Sequence, residues 1–193
     1  MVLCHVPMRN TTAIPSAKKG PETILIFDFG SQYAQLIARR VREAGAFSLL
    51  VSPKASVEEL QHHNLAGIIL SGGPNSVTDE NAPRCDERIF DLGVPILGIC
   101  YGMQLGCQVL GGSVKGAVAR EFGRATLNVV ESTGLFRGIP TDISVWVSHG
   151  DQVDQLEDDF KVLATTSSCP NAAVAHSSKP FYGVQFHPEV IHT

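Results

Sequence analysis

At 193 residues, 44% hydrophobic and 18% charged, the chain is long enough for one substantial core and lacks the composition of a disordered protein. A net charge of −4 argues against a nucleic-acid or anionic-membrane surface, and no apolar run is long enough to span a bilayer, so a soluble protein is expected. The cysteines Cys4, Cys85, Cys100, Cys107 and Cys169 are odd in number, widely spaced and without a C-x-x-C pair. That pattern excludes a disulfide framework or a structural zinc site and leads to the expectation of a reducing, cytoplasmic compartment.

Residues 1–21 hold Arg9, Lys18 and Lys19 but no amphipathic Arg-rich period of a transit peptide, and Pro7, Pro15 and Gly20-Pro21 predict an extended or disordered tail. The apolar run 23–27 predicts a buried strand. It leads through Asp28-Phe29-Gly30 to Ser31, read as the N-cap of a helix over 32–43 in which Tyr33, Leu36, Ile37 and Val41 recur near helical spacing. Gly45 ends that helix. A strand over 48–51, a short helix over 57–62 and a buried strand over 67–70 follow, the last stopped by Ser71-Gly72-Gly73-Pro74. His62-His63 has no acidic or cysteine partner at ligand spacing and is expected at an exposed helix end.

A helix around 86–92, a strand over 95–97 and a helix over 103–110, stopped by Gly111-Gly112, complete this half. Continuous apolar strands alternating with amphipathic helices predict an α/β fold: an open, mostly parallel, doubly wound sheet with helices on both faces. Beyond residue 112 the segments are shorter and turn-rich. Strands over 125–130, 144–147, 162–164, 172–175 and 182–186 are expected to pair as hairpins, a smaller antiparallel or mixed extension of the same domain.

Gly98-Ile99-Cys100-Tyr101-Gly102 places a cysteine between two glycines at a strand-to-helix junction, the nucleophile-elbow pattern with sulfur for oxygen. A sharp turn strains the backbone at the nucleophile and leaves no room for side chains at the flanking positions. The helix that follows turns free N–H groups and a positive dipole end toward the sulfur, which favours thiolate over thiol. Cys107, two helical turns on, has no base in the local sequence and is read as core; the other three cysteines carry no assignment.

Phe186-His187-Pro188-Glu189 ends an apolar strand. Residues two apart in an extended segment face one side, and Pro188 keeps His187 out of the helical region. Glu189 can then hold one imidazole nitrogen and leave the other for Cys100, a nucleophile–base–orienter relay. His149 and His176 are rival bases; His149-Gly150-Asp151 comes closest to the same pattern but reads as a loop.

Ser71-Gly72-Gly73-Pro74 should lie at the same sheet edge as Cys100, where open α/β sheets bind ligands, and a glycine N–H from it, with that of Tyr101, can hold an oxyanion. No Gly-Lys-Ser/Thr follows, so it is not a Walker loop. It is similar to the Ser-Gly-Gly-x-Asp-Ser loop of ATP pyrophosphatases, but Pro74 lacks the N–H that a phosphate cradle uses and Asn75 replaces the acid. Gln104 and Ser148-His149-Gly150-Asp151 offer polar groups suited to an amino-acid substrate.

Together these stretches, with Asp28-Phe29-Gly30-Ser31-Gln32-Tyr33, resemble the class I (triad) glutamine amidotransferases, and among them the amidotransferase domains of GMP synthases, over nearly all of 24–193. The resemblance implies Cys100 as nucleophile, His187 as general base and acid, Glu189 as orienter, and an oxyanion hole from the backbone of Gly73 and Tyr101. Gln104, Ser148, Gly150 and Asp151 look like the glutamine-binding positions. It further implies hydrolysis of glutamine to glutamate and ammonia through a cysteinyl thioester, with ammonia passed to an ATP pyrophosphatase (GMP synthetase) domain that aminates XMP. No metal or cofactor is expected here, ATP and Mg2+ belonging to that partner. Residues 22–193 are expected to form the glutaminase domain cut before the family's last helix, with the synthetase domain absent. The alternatives are the glutaminase domain of another synthase and a γ-glutamyl hydrolase with the same triad.

Overall fold

The computed structural model describes residues 20–132, 134–191 and 193, with the backbone alone for 118–121. Of the expected tail only Gly20 and Pro21 fall within it, and Cys4 lies outside the described residues.

The apolar runs become neighbours in one sheet. In chain order the elements are β1 (Glu22–Phe27), α1 (Ala34–Glu43), β2 (Phe47–Val51), α2 (Val57–Leu60), β3 (Asn64–Leu70), β4 (Ile96–Ile99), α3 (Tyr101–Val109), β5 (Ser113–Val129), β6 (Asp142–Gln155), β7 (Phe160–Thr165), β8 (Ala173–His176) and β9 (Phe181–Val184). Strand β1 pairs in parallel with β2 on one side and β3 on the other, and β4 and β9 continue in parallel beyond β3. Antiparallel pairing then adds β8, β7, β5 and β6, giving the order β2-β1-β3-β4-β9-β8-β7-β5-β6.

Alternation along the strands divides the interior between two faces. Leu25 and Phe27 of β1 join Val57, Leu60, Met103 and Phe181 in one core, while Ile26 joins Ile37, Ala38, Ile99 and Val184 in the other. Helix α1 therefore covers one face and α2 with α3 the other, which right-handed crossovers require when the chain reverses its direction of travel after β2. This is the expected doubly wound α/β architecture. Its switch point lies between β1 and β3, and the loops after β1, β3, β4 and β9 all emerge at the same edge.

Three local expectations need correction. The helix expected over 86–92 is a single 3-10 turn at Glu87–Asp91, capped by the Asp86 side chain accepting from the Arg88 N–H; Pro83 before it and Gly93 and Pro95 after it leave no room for regular α-turns. Helix α1 begins at Ala34, and Ser31 does not cap it. Instead Asp28 Oδ1 accepts from the N–H of Gly30 (2.9 Å) and Ser31 (3.2 Å), and Ser31 Oγ accepts from Tyr33 N–H (3.0 Å), so short polar side chains build a turn where a cap was expected. The strands expected over 125–130 and 144–147 are parts of a far longer hairpin, 17 residues in β5 and 14 in β6, paired from Ser113↔Gln155 to Asn128↔Asp142. Ser148-His149-Gly150-Asp151 accordingly sits inside β6 rather than in a loop.

Candidate active site

Cys100 occupies the junction of β4 and α3 with φ 48° and ψ −107°, the one non-glycine residue at positive φ among those described. An L-residue is strained there and stays only where its surroundings over-determine it. Those surroundings are specific: Cys100 N–H donates to the Val184 carbonyl (2.8 Å), Gly102 N–H to the Ser71 carbonyl (3.0 Å), and Gln104 N–H to the Cys100 carbonyl (3.0 Å). The elbow helix also lies directly against the sheet. A Cβ at Gly98 would stand 2.6 Å from the Gly102 carbonyl group, and one at Gly102 would run into the backbone of Leu70. The glycine spacing thus serves close approach of α3 to β3 and β4.

Three side chains from distant parts of the chain meet at this point. His187 Nε2 lies 3.4 Å from Cys100 Sγ, and His187 Nδ1 lies 2.8 Å from Glu189 Oε1. All three residues are buried, at 6%, 6% and 4% exposure for Cys100, His187 and Glu189. An ionised Glu189 makes Nδ1 the N–H donor and leaves the Nε2 lone pair facing the sulfur. The backbone that achieves this differs from the extended segment expected. Strand β9 ends at Val184, Phe186 keeps a single bridge to Val147, and Pro188 and Glu189 form a turn. The turn is pinned from outside: His187 N–H donates to the Trp146 carbonyl (2.9 Å), Thr193 Oγ1 donates to the His187 carbonyl (2.7 Å), and Arg40 Nε donates to the Glu189 carbonyl (3.0 Å).

The sulfur's charge state also departs from expectation. Burial pushes the Cys100 thiol up, and the negative charge of Glu189 adds to the effect. The helix N-terminus and the imidazole oppose this. Burial thus favours the thiol form, which donates to the Gln185 carbonyl (3.1 Å).

A cleft of about 440 Å³ opens beside Cys100, walled by Gly73, Tyr101, Gln104 and, from β6, Ser148, Gly150 and Asp151. Every expected site residue except His187 and Glu189 lines it. For the backbone N–H groups of Gly73 and Tyr101 no protein acceptor is present among the described residues, so both remain available to a ligand. A Cβ at Gly73 would stand 2.8 Å from the Phe29 carbonyl, which fixes glycine at that position. Gln104 lines the cleft and also makes structural hydrogen bonds. Its buried amide nitrogen donates to the Asp151 carbonyl (2.9 Å) and to Gln185 Oε1 (3.2 Å), bracing the cleft wall against the segment before His187. Of the rival bases, His149 lies across the same cleft, with Nδ1 3.1 Å from the Asp151 carbonyl. His176 sits at the end of β8 against Phe160.

Three neighbours escaped the sequence reading. Gln185 receives the thiol hydrogen, Tyr33 packs its ring edge against His187 at 5.2 Å between centroids, and exposed Phe122 lines the cleft from β5. Gln185 and Tyr33 stand inside distinctive motifs, which was the available signal; an exposed phenylalanine in a turn-rich stretch gave none. Cys85, Cys107 and Cys169 are buried, and Cys169 packs in the same apolar cluster as Cys100. Among the described residues no His, Cys, Asp and Glu cluster has the makings of a metal site, and no helix is long and apolar enough to cross a membrane.

A buried Cys–His–Glu chain at the carboxyl ends of parallel strands, beside a cleft with free backbone donors, defines a cysteine-centred α/β protein suited to acyl chemistry. The class-I glutamine amidotransferase family matches residues 25–193, and the chain belongs to that family. It is 54% identical over 172 residues to the glutamine-hydrolysing GMP synthase of Bacillus subtilis, covering 89% of this chain and 34% of that protein. The corresponding enzyme of Thermosynechococcus vestitus is 52% identical over 172 residues, covering 89% of this chain and 32% of that protein. The chain thus spans about a third of the length of the curated relatives it matches. Among solved structures, a protein assigned as a GMP synthase subunit from Thermoplasma acidophilum superposes with a TM-score of 0.82 at 35% identity, over 90% of this chain and 87% of that one. A glutamine amidotransferase from Thermotoga maritima, at 24% identity, shares the fold with a TM-score of 0.70, over 89% of this chain and 77% of that one.

Proposed function

We propose that the chain hydrolyses glutamine to glutamate and ammonia, with Cys100 as nucleophile, His187 as general base and acid, and Glu189 as orienter. The observation that carries the proposal is the hydrogen-bonded line Cys100 Sγ–His187 Nε2–Glu189 Oε1, at 3.4 and 2.8 Å. Transfer of the thiol proton to Nε2 frees the sulfur to attack the side-chain amide carbon, and the oxyanion that forms is held by the N–H groups of Gly73 and Tyr101. The C–N bond then breaks as Nε2 returns its proton to nitrogen, ammonia leaves, and a γ-glutamyl thioester remains. Water, giving a proton to Nε2, adds to the thioester; the C–S bond breaks, glutamate leaves and the thiol is restored.

Ser148, Gly150 and Asp151 supply the cleft wall that takes the amino-acid end of glutamine, with Gln104 bracing it. The likeness to glutamine-hydrolysing GMP synthases, of which this segment is about a third, supports a further step: the ammonia serves a GMP synthetase partner domain. In this reading that partner is an ATP pyrophosphatase that aminates XMP, with ATP and Mg2+ bound there. The deciding experiment measures ammonia release from glutamine by this chain and by Cys100→Ala, with and without an added GMP synthetase domain. Release should vanish in the variant; equal release from both chains would overturn the assignment.

A further inference from the structure

Two adjoining cavities, which share Gly73, Pro74 and Ser148, meet at Cys100. Besides the cleft on the Gln104–Asp151 side, a second cavity of about 370 Å³ meets the sulfur, lined by Ser31, Gln32, Tyr33, Cys100 and His187 among others. His187 lines this second cavity and not the first. Its outer wall is the turn between β1 and α1, built by Asp28 and Ser31 side chains on backbone N–H groups, with Tyr33 carried against the imidazole.

Resting on the glutaminase reading above, we propose that the Tyr33-side cavity is the compartment through which the amide nitrogen leaves and the hydrolytic water enters. Tyr33 acts in it as a positioning residue that holds the imidazole at its mouth. The chemistry demands a shared side. One ring nitrogen, Nε2, protonates the departing nitrogen and later takes a proton from the attacking water, so both small molecules must sit on the imidazole's side of the sulfur. The glutamyl chain, bonded to sulfur throughout, occupies the other side, where Gln104, Gly150 and Asp151 stand. The second cavity has room for several water molecules. Gly72 packs beneath the sulfur and the imidazole: a Cβ there would lie 3.7 Å from both His187 Cε1 and Ser31 Oγ, and 3.8 Å from Cys100 Cβ.

The test uses three probes on the whole chain: glutamine, hydroxylamine as a competitor of water for the thioester, and a chloroketone analogue of glutamine. The analogue alkylates Cys100 from the glutamine cleft and releases only chloride. Gln32→Trp narrows the cavity, and Tyr33→Ala widens it and frees the ring. Narrowing should lower glutamine turnover and the hydroxamate-to-glutamate ratio about five-fold or more, with alkylation within about two-fold of the parent. Tyr33→Ala should raise the hydroxamate ratio while lowering kcat and altering its pH profile, and Tyr33→Phe, which keeps the ring, should restore both. An unchanged hydroxamate ratio in both Gln32→Trp and Tyr33→Ala overturns the proposal, as does alkylation that falls in step with turnover. Failure of the analogue to label Cys100 in the parent chain would instead defeat the glutaminase reading itself.

Discussion

The Cys100 thiol points at the backbone carbonyl of Gln185, 3.1 Å away, nearer than the imidazole that must take its proton. A carbonyl oxygen in that place stabilises the protonated sulfur, and burial pushes the thiol in the same direction. Alkylation of Cys100 by iodoacetamide should therefore still be accelerating as pH passes the ordinary thiol value of about 8.5. A rate already at its plateau near neutrality would show that the thiolate exists at rest.

Glu189 assists proton transfer through the ring it orients and does not itself bond to substrate, so its loss should be milder than loss of the nucleophile. Glu189→Gln retains an oxygen able to accept from Nδ1–H, and a fall in kcat of about ten- to a thousand-fold is expected, against abolition in Cys100→Ala and a nearly equal loss in His187→Ala. Steady-state ammonia release, with circular dichroism to confirm folding, gives the ranking; a Glu189→Gln variant as dead as Cys100→Ala would assign the carboxylate more than orientation.

Gln104 holds two acceptors from one amide nitrogen, the Asp151 carbonyl and Gln185 Oε1. Gln104→Leu leaves the Asp151 carbonyl and Gln185 Oε1 without this donor at a buried position, a loss of about 1–3 kcal/mol. Because the brace joins the cleft wall to the segment carrying His187, KM and kcat should worsen together. A rise in KM alone would mean that Gln104 contacts only substrate.

Close packing under the elbow sets a sharp contrast between glycines. Gly102→Ala drives a methyl group into the Leu70 backbone and should cost more than about 3 kcal/mol, or prevent folding. Gly116→Ala meets only Asp151 Oδ1 at 3.9 Å and should stay within about 1 kcal/mol. Urea denaturation midpoints of the two variants decide; comparable midpoints would contradict the geometry of the elbow.

Buried thiols also predict the alkaline limb of stability. Burial pushes Cys85 up to about 12 and Cys107 in the same direction. In the unfolded chain these thiols ionise near pH 8.5, while in the folded protein they stay protonated, so the folded state binds more protons above that pH and stability falls as pH rises toward the folded values. Each contributes a slope of up to about 1.4 kcal/mol per pH unit. Cys107→Ala should be less stable at pH 7 through lost packing, yet show a shallower decline between pH 8.5 and 10.5. An unaltered slope would place the Cys107 thiol in contact with solvent.

The parallel half of the sheet was legible because its strands are buried on both faces and read as unbroken apolar runs, so 23–27 and 67–70 needed no tertiary knowledge. The elbow was legible because the close approach of α3 to the sheet leaves no room for a side chain at either Gly98 or Gly102. The hairpin was not: its arm from Ser113 holds lysine, glycine and alanine with no period of two, and only pairing with β6 makes it a strand. Ser31 misled for a related reason, since serine satisfies a helix N-terminus and a tight turn with the same oxygen. The sequence motif brought His187 and Glu189 together correctly, but by way of an extended geometry that the turn at Pro188 replaces. The resting thiol was out of reach, because burial and the Gln185 carbonyl are properties of assembled surroundings.

Placing Ser148, Gly150 and Asp151 on β6 separates two kinds of tolerance to change. The strained cysteine belongs to tightly interlocked parallel strands, where a single methyl group is excluded, whereas the opposite wall rides on a long two-stranded arm whose outward residues meet little else. Selectivity for the bound amino acid can therefore drift through side-chain changes beside Ser148, Gly150 and Asp151 so long as the backbone at Trp146 keeps its hold on the His187 turn, which makes that stretch of the arm the natural place to graft a different substrate preference.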